Sequence, residues 1–166
     1  MVKIDLKKAL QTAFDFEEKG HRIYEGVSTK TENPIVAKTF SYLANQELIH
    51  VEVIKGYMKK EKIELKGDKL KETKKFFSMT VKEFKERAEL SDDDLKAHET
   101  ALGLEQKSYN FYKTQSEKTT NKELKKFFMF LMEQENNHYE LVQKTYEFIK
   151  NPVGFYTEEE KWLVEG

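Results

Sequence analysis

The chain has 166 residues, which suits one domain with a real core, and its 29 basic and 30 acidic residues leave a net charge of -1. These charges are interspersed and form no basic patch, so we expect neither nucleic acid nor a membrane surface as a partner. Cysteine is absent. Disulfides, thiolate metal sites and a catalytic thiol are therefore excluded, and metal binding would depend on carboxylate and imidazole.

The start of the chain, Met1-Val2-Lys3-Ile4-Asp5, has no apolar stretch of signal-peptide length. No apolar run elsewhere is long enough to span a bilayer. We therefore expect a cytoplasmic protein.

Two helices are predicted in the first 60 residues. From about Ile4 to Thr29, apolar residues recur at helical spacing, and Glu17 lies on this apolar face. Asn33-Pro34 predicts the start of a second helix, because asparagine is a good cap and proline is favoured in the first turn. This helix extends to about Lys60 and carries Glu47 and His50 on its apolar face.

Residues 61–91 are too long for a hairpin turn and predict a crossover along the length of a bundle. Turn-forming residues occur at Lys66-Gly67-Asp68. Thr80-Val81-Lys82-Glu83 has the pattern of a capping box that opens a short helix. A crossover of this length would make the second and third bundle helices parallel.

A second pair of helices is predicted after the crossover. Ser91-Asp92-Asp93-Asp94 predicts the cap of the third bundle helix, which extends to about Lys118. The aspartates place negative charge at the N-terminus of this helix, which is the positive end of its dipole. The fourth helix runs from about Lys122 to Lys150 and is followed by a proline and a glycine. Residues 151–166 form an aromatic tail that we expect to pack on the bundle or on a partner subunit, through Phe155, Tyr156 and Trp162.

The two helix pairs are copies of one unit, repeated at an offset of 88 residues. Residues 8–52 laid on residues 96–140 without a gap share 18 identities in 45 positions, where chance would give about 3. The predicted fold is an all-α four-helix bundle of two antiparallel hairpins, with repeat units at about 1–60 and 92–150 and a crossover at 61–91.

Each repeat carries a glutamate followed three residues later by a histidine, and this spacing places both side chains on one face of a helix. A further glutamate precedes each pair by 30 residues. In the first repeat, the helix rises about 18 Å from Glu17 to about Thr29, and the next helix descends about 20 Å from Pro34 to Glu47. The two glutamates of a hairpin therefore lie at the same level. The candidate metal ligands are therefore Glu17, Glu47, His50, Glu105, Glu135 and His138.

Four buried carboxylates without a counterion would be costly, and two divalent cations would cancel their charge. We therefore predict a cage for two metal ions. Two other interpretations stay open: the glutamates are solvated surface residues of Glu-rich helices, or the site is a collapsed remnant without metal.

Several other side chains are weaker candidates for a role at the metal site. Tyr24 and Tyr112 follow the first glutamates by seven residues, where a phenol would either orient a ligand carboxylate or pack in the core. For His21 a surface position is favoured over a ligand role, and His98 is a minor candidate for lining an entrance. Core or subunit contacts are the favoured role of two aromatic pairs, Phe76-Phe77 and Phe127-Phe128.

This doubled pattern resembles the ferritin-like di-iron carboxylate proteins. The resemblance covers residues 1 to about 150 and is closest to the rubrerythrin branch. It implies that Glu47 and Glu135 bridge two iron ions, with manganese or zinc as other metals that the ligands would accept. The other two glutamates would be terminal ligands, and each histidine would bind one iron. Three segments carry the likeness: Ala13–Glu17 with Tyr24, Leu43–His50, and Ala101–Glu105 with Phe111-Tyr112.

The resemblance implies an oxidoreductase of oxidative-stress defence, a di-iron peroxidase or oxidase that reduces hydrogen peroxide or dioxygen, and a homodimer. The chain departs from rubrerythrins in two ways. It has no cysteine for the usual rubredoxin module, so an external donor protein must supply electrons. Ser108 stands where rubrerythrins carry a further glutamate, one turn after the ligand of the third bundle helix, and the six remaining ligands equally fit bacterioferritin.

Three other functions stay open. The first is a ferroxidase that stores iron in a shell, as in bacterioferritin, and light scattering would distinguish such a shell from a dimer. The second is a structural metal-binding module without redox activity. The third is an activity like that of manganese catalase.

Overall fold

The computed structural model describes residues 5–60, 64–84 and 90–151. These residues form helices and no strand, which confirms the predicted all-α class. The described ranges contain five helices, α1 (Leu6–Lys30), α2 (Pro34–Met58), α3 (Leu70–Glu83), α4 (Asp92–Lys118) and α5 (Lys122–Lys150).

The bundle helices begin at the capping residues that the sequence indicates. Asn33 accepts hydrogen bonds from two backbone N–H groups of the first turn of α2, and Pro34 is the first residue of that helix. Ser91 and Asp94 form a reciprocal capping box at the start of α4. Asn121 caps α5 through the backbone N–H of Leu124. These caps satisfy donors that have no partner within the helix.

The hairpins α1–α2 and α4–α5 pack against each other, with α1 antiparallel to α4. Tyr24 contacts Glu105 and Tyr112 contacts Glu17, so the chain runs in opposite directions along α1 and α4. A three-residue turn makes α1 and α2 antiparallel. Helices α2 and α4 are therefore parallel, as the long crossover predicts.

Helix α3 belongs to the crossover and packs on α5 and α2. The predicted capping box at Thr80 is wrong, because Thr80 lies inside the last turn of α3 and its carbonyl accepts the N–H of Phe84. Phe77 and Val81 are both buried and share one helical face, so the apolar period continues through the residues that match the cap pattern. Glu83 instead pairs with a lysine of α2.

The apolar core divides into two clusters, and the predicted ligands lie between them. One cluster occupies the end of the bundle that includes Tyr24, Phe40, Leu43, Phe77, Leu141 and Phe148. The other occupies the opposite end and includes Leu10, Ile54, Tyr112, Phe127, Phe128 and Leu131. On α2 and on α5 the ligands come after the residues of one cluster and before those of the other, so packed apolar side chains separate them from both ends.

Among the described residues, no helix is both long enough and apolar enough to cross a bilayer. The predicted packing of the aromatic tail concerns Phe155, Tyr156 and Trp162, which lie outside the described residues.

Candidate metal centre

The four bundle helices bring all six predicted ligands together. Each helix hairpin contributes two glutamates and one histidine, and every one of these side chains is at most 2% exposed. The interpretation of these glutamates as solvated surface residues is therefore wrong. The converging residues are Glu17 on α1, Glu47 and His50 on α2, Glu105 on α4, and Glu135 and His138 on α5.

The six side chains form two overlapping groups, each able to hold a metal ion. One group adds Glu17 and His50 to the shared pair, and the other adds Glu105 and His138. Within each group, one ligand atom per residue lies within 4.8 Å of all the others. The shared pair, Glu47 and Glu135, is placed to bridge two ions.

The imidazoles turn the same ring nitrogen toward the carboxylates. The Nδ1 atom of His50 lies 3.1 Å from Glu17 Oε2 and 3.5 Å from Glu47 Oε2. The Nδ1 atom of His138 lies 3.0 Å from Glu47 Oε1 and 3.6 Å from Glu105 Oε1. The two rings stack with their centroids 5.3 Å apart. Each histidine therefore offers Nδ1 to the centre, and the Nε2 atom of His50 faces Gln134 outside it.

The carboxylate oxygens fit a cation. When the carboxyls are ionised, no hydrogen-bond donor among the described residues faces three buried oxygens, Glu47 Oε2, Glu105 Oε2 and Glu135 Oε1. Buried charged oxygens need a proton or a positive ion to offset the loss of water. Carboxylate and imidazole ligands suit iron, manganese and zinc, so the donor set fits two such ions.

Burial and mutual repulsion divide the carboxyls into two kinds. Burial, together with the charges of Glu17 and Glu105, raises the pKa of Glu47 and of Glu135 well above 4.5. For Glu17, burial also acts to raise the pKa, but a hydrogen bond from Glu47 and the charge of His50 outweigh it and lower the pKa. Glu47 and Glu135 therefore lose their protons at a higher pH than ordinary glutamates, and a metal ion, which needs ionised carboxylates, would compete with those protons.

Two tyrosines hold the terminal glutamates from across the bundle. The phenol of Tyr24 donates to Glu105 Oε1 at 2.6 Å, and the phenol of Tyr112 donates to Glu17 Oε1 at 2.6 Å. Each tyrosine therefore contacts the ligand of the other repeat. Burial and the nearby carboxylates raise both phenol pKa values well above 10.0, so both phenols remain donors.

Removing a phenol should weaken metal binding without unfolding the bundle. We expect Tyr112→Phe to lower the affinity of the centre for Co²⁺ about 10-fold, because Glu17 loses the hydrogen bond that orients it. Tyr57→Phe is the matched control, since Tyr57 stacks on Phe127 and contacts no ligand. Titration followed by visible absorption measures both affinities. Equal affinity in the two variants would show that the phenol does not orient the ligand.

Sequence reasoning missed a group of residues just outside the ligands. Gln134 Oε1 lies 2.8 Å from His50 Nε2, and the amide nitrogen of Gln134 donates to the backbone carbonyl of Asp68 at 2.9 Å. The backbone N–H of Asp68 in turn donates to Gln46 Oε1 at 2.9 Å. A signal was present, because Gln46 and Gln134 are equivalent in the repeat and each directly precedes a bridging glutamate.

The remaining candidate histidines do not join the centre. His21 is half-buried, and its Nδ1 lies 2.8 Å from the carbonyl oxygen of Ala44 on α2, so it is neither a ligand nor a free surface residue. His98 is fully buried, and its Nδ1 donates to the carbonyl of Asp94 at 2.7 Å, so it does not line an entrance. Ser108 is buried one turn after Glu105 and offers a hydroxyl where a rubrerythrin would place a carboxylate.

The comparison with known proteins agrees with this geometry. A family model described as Rubrerythrin matches residues 8–146, a span that includes all six candidate ligands and both hairpins. No curated protein and no solved structure matched the chain. A match over this much of the sequence, together with the all-α fold and the buried cluster of carboxylates and imidazoles, shows that the chain belongs to the rubrerythrin family.

Proposed function

We propose that this protein is a non-haem di-iron oxidoreductase that reduces hydrogen peroxide, or dioxygen, in defence against oxidative stress. One observation carries the proposal: four carboxylates and two imidazoles converge, fully buried, in two overlapping groups that share two glutamates. Members of the rubrerythrin family usually bind two iron ions. The same ligands would accept manganese or zinc, so the choice of iron rests on the family.

The charge of the centre supports a pair of divalent ions. Four ionised carboxylates carry four negative charges, which two divalent cations cancel in a space that excludes water. When bound, two ferrous ions would supply one electron each to the oxidant. The anionic glutamates around them favour the more highly charged oxidised pair, so this ligand set suits a centre that gives up electrons.

The residues of the chain have distinct tasks in this proposal. Glu47 and Glu135, which belong to both ligand groups, would hold both ions, and their carboxyls would be ionised in the loaded centre. Tyr24 and Tyr112 keep the terminal carboxylates oriented through hydrogen bonds of 2.6 Å. The two apolar clusters keep bulk water away from both ends of the site.

Turnover also needs electrons from outside the chain. Reduction of hydrogen peroxide to two waters consumes two electrons and two protons. These 166 residues contain no cysteine, so none of them can form an iron–thiolate site that would deliver these electrons. We propose a separate electron-donor protein as the partner that returns the centre to its reduced state.

The choice between peroxide and dioxygen is tested by rapid mixing of the ferrous-loaded protein with each oxidant. We expect peroxide to oxidise the centre at least about 10-fold faster, a difference that absorbance measurements resolve easily. Zinc-loaded protein is the control, because zinc has no redox change. Faster oxidation by dioxygen would sink the peroxidase proposal, and a protein that binds zinc but never oxidises iron would indicate a structural metal module.

A further inference from the structure

The crossover loop before α3 lies directly over one of the two histidine ligands. At Gly67, an added Cβ would lie 2.0 Å from Gln134 Oε1 and 3.1 Å from His50 Nε2. Only a residue without a side chain leaves room for this contact. The backbone of the loop therefore covers the hydrogen bond between His50 and Gln134.

Asp68 fixes the loop at this place. Its backbone N–H donates to Gln46 on α2, and its carbonyl accepts from Gln134 on α5. The phenol of Tyr42 donates to its side chain, and the side-chain amide of Asn137 lies 3.5 Å from its carbonyl. One residue of the crossover thus joins two glutamines that are equivalent in the repeat.

These contacts determine which ring nitrogen of His50 carries a proton. A backbone carbonyl only accepts, so the NH₂ group of Gln134 must face Asp68 and its oxygen must face His50. An amide oxygen also only accepts, so His50 Nε2 must be the donor. The lone pair of the neutral ring is then on Nδ1, which is the nitrogen that faces the carboxylates.

The second histidine lacks this arrangement. Gln46, the repeat equivalent of Gln134, turns its oxygen to the N–H of Asp68 and not to an imidazole. Within the described residues, the one hydrogen bond of the His138 ring runs from Nδ1 to Glu47. The crossover occurs once in the chain, whereas the ligands occur twice, so one loop supports the two repeats in different ways.

We propose that Gln134 is a positioning residue for His50, and that it makes the metal position of Glu17 and His50 the tighter of the two. The inference rests on the proposed metal centre and adds an order of binding to it. A partner that orients a histidine ligand and fixes its tautomer typically changes metal affinity about 10- to 100-fold. Two positions with the same ligands should therefore fill one after the other.

Titration of the metal-free protein with Co²⁺ tests this order. We expect two phases in the wild type, and in Gln134→Leu a tight phase that is weakened about 10- to 100-fold. The matched control is Gln46→Leu, which also breaks a contact with Asp68 but should change the tight phase by less than about threefold. Gln134→Glu keeps an acceptor toward His50 but loses the donor to the Asp68 carbonyl, so it should weaken the tight phase less than Gln134→Leu does.

A second measurement separates positioning from general stability. In zinc-loaded protein, nitrogen-15 NMR should show metal on His50 Nδ1 and a protected proton on Nε2, and Gln134→Leu should lose that protection while circular dichroism stays unchanged. We expect Gly67→Ala to give the same result, because the new methyl group displaces the Gln134 amide.

The outcomes separate this inference from the proposed function. Equal losses in Gln134→Leu and Gln46→Leu, or no loss in Gln134→Leu, would overturn the inference and leave a two-metal centre standing. A wild-type protein that binds no metal would overturn both.

Discussion

Replacing Glu47 by alanine is expected to abolish tight binding of both metal ions. Glu47 belongs to both ligand groups, and one of its oxygens also lies 3.0 Å from His138 Nδ1. Its loss removes a bridge and leaves two positive ions close together with less negative charge between them. Elemental analysis after loading with iron should give fewer than one ion per chain, with an affinity at least about 100-fold lower.

Two further variants show whether this loss is specific. Glu17→Ala removes a ligand that belongs to one group only, so this variant should still bind one ion. Glu52→Ala changes an exposed glutamate of the same helix as Glu47 and should bind two. If Glu47→Ala binds as much iron as Glu52→Ala, Glu47 is not a bridging ligand and the assignment of the centre is wrong.

The metal-free protein is expected to become less stable as pH rises above about 5, with the opposite trend when metal is bound. Burial and repulsion raise the pKa of Glu47 and Glu135 well above 4.5. For His50, burial lowers the pKa, but the charge of Glu17 outweighs it, and the net shift is upward from 6.5. At these three groups the folded state therefore holds protons that the unfolded chain has released.

The sign of the effect follows from proton linkage. A group with a raised pKa in the folded state contributes stability below its unfolded pKa and loses it as pH rises through the folded pKa. The pKa of Glu17 and of Glu105 is lowered, so their contribution is lost only when pH falls below about 4.5. Above that value the contribution of Glu17 and Glu105 is constant, and the raised pKa values of Glu47, Glu135 and His50 make the metal-free protein less stable as pH rises.

Urea unfolding at several pH values measures this dependence. Between about pH 5 and pH 8 the free energy of unfolding should fall steadily without metal. Glu47→Gln should reduce this slope, because it removes one of the carboxyls that hold a proton. A metal-free wild type whose stability stays constant or rises over this range would contradict the predicted protonation of the bridging carboxyls.

The bundle and the convergence of the six candidate ligands could be predicted because both are encoded twice. A repeat at an offset of 88 residues pairs Glu17 with Glu105 and His50 with His138. The repeat, the helical spacing and the apolar face of each helix all place these side chains toward the core. The limits of α2 and α4 followed from local signals, because Asn33 and Ser91 cap their own helices. Such signals act within a few residues of chain and need no tertiary information.

Contacts between helices could not be predicted in the same way. The bond from Tyr24 to the glutamate of the other repeat depends on the register of two antiparallel helices. The unequal partners of Gln46 and Gln134 depend on a crossover that has no copy, so the symmetry of the repeat predicts the wrong result. The cap pattern at Thr80 failed because buried contacts of α3 outweigh a local preference.

Anomalous diffraction from crystals of the iron-loaded protein tests the central claim most directly. Two anomalous peaks at the iron edge are predicted, one among Glu17, Glu47, His50 and Glu135 and the other where His138 and Glu105 join the same two bridging residues. Carboxylate oxygens and imidazole Nδ1 atoms should lie about 2.0–2.3 Å from the peaks. One peak alone, peaks at the surface, or a histidine that binds neither ion would contradict a centre of two metals built by the repeat.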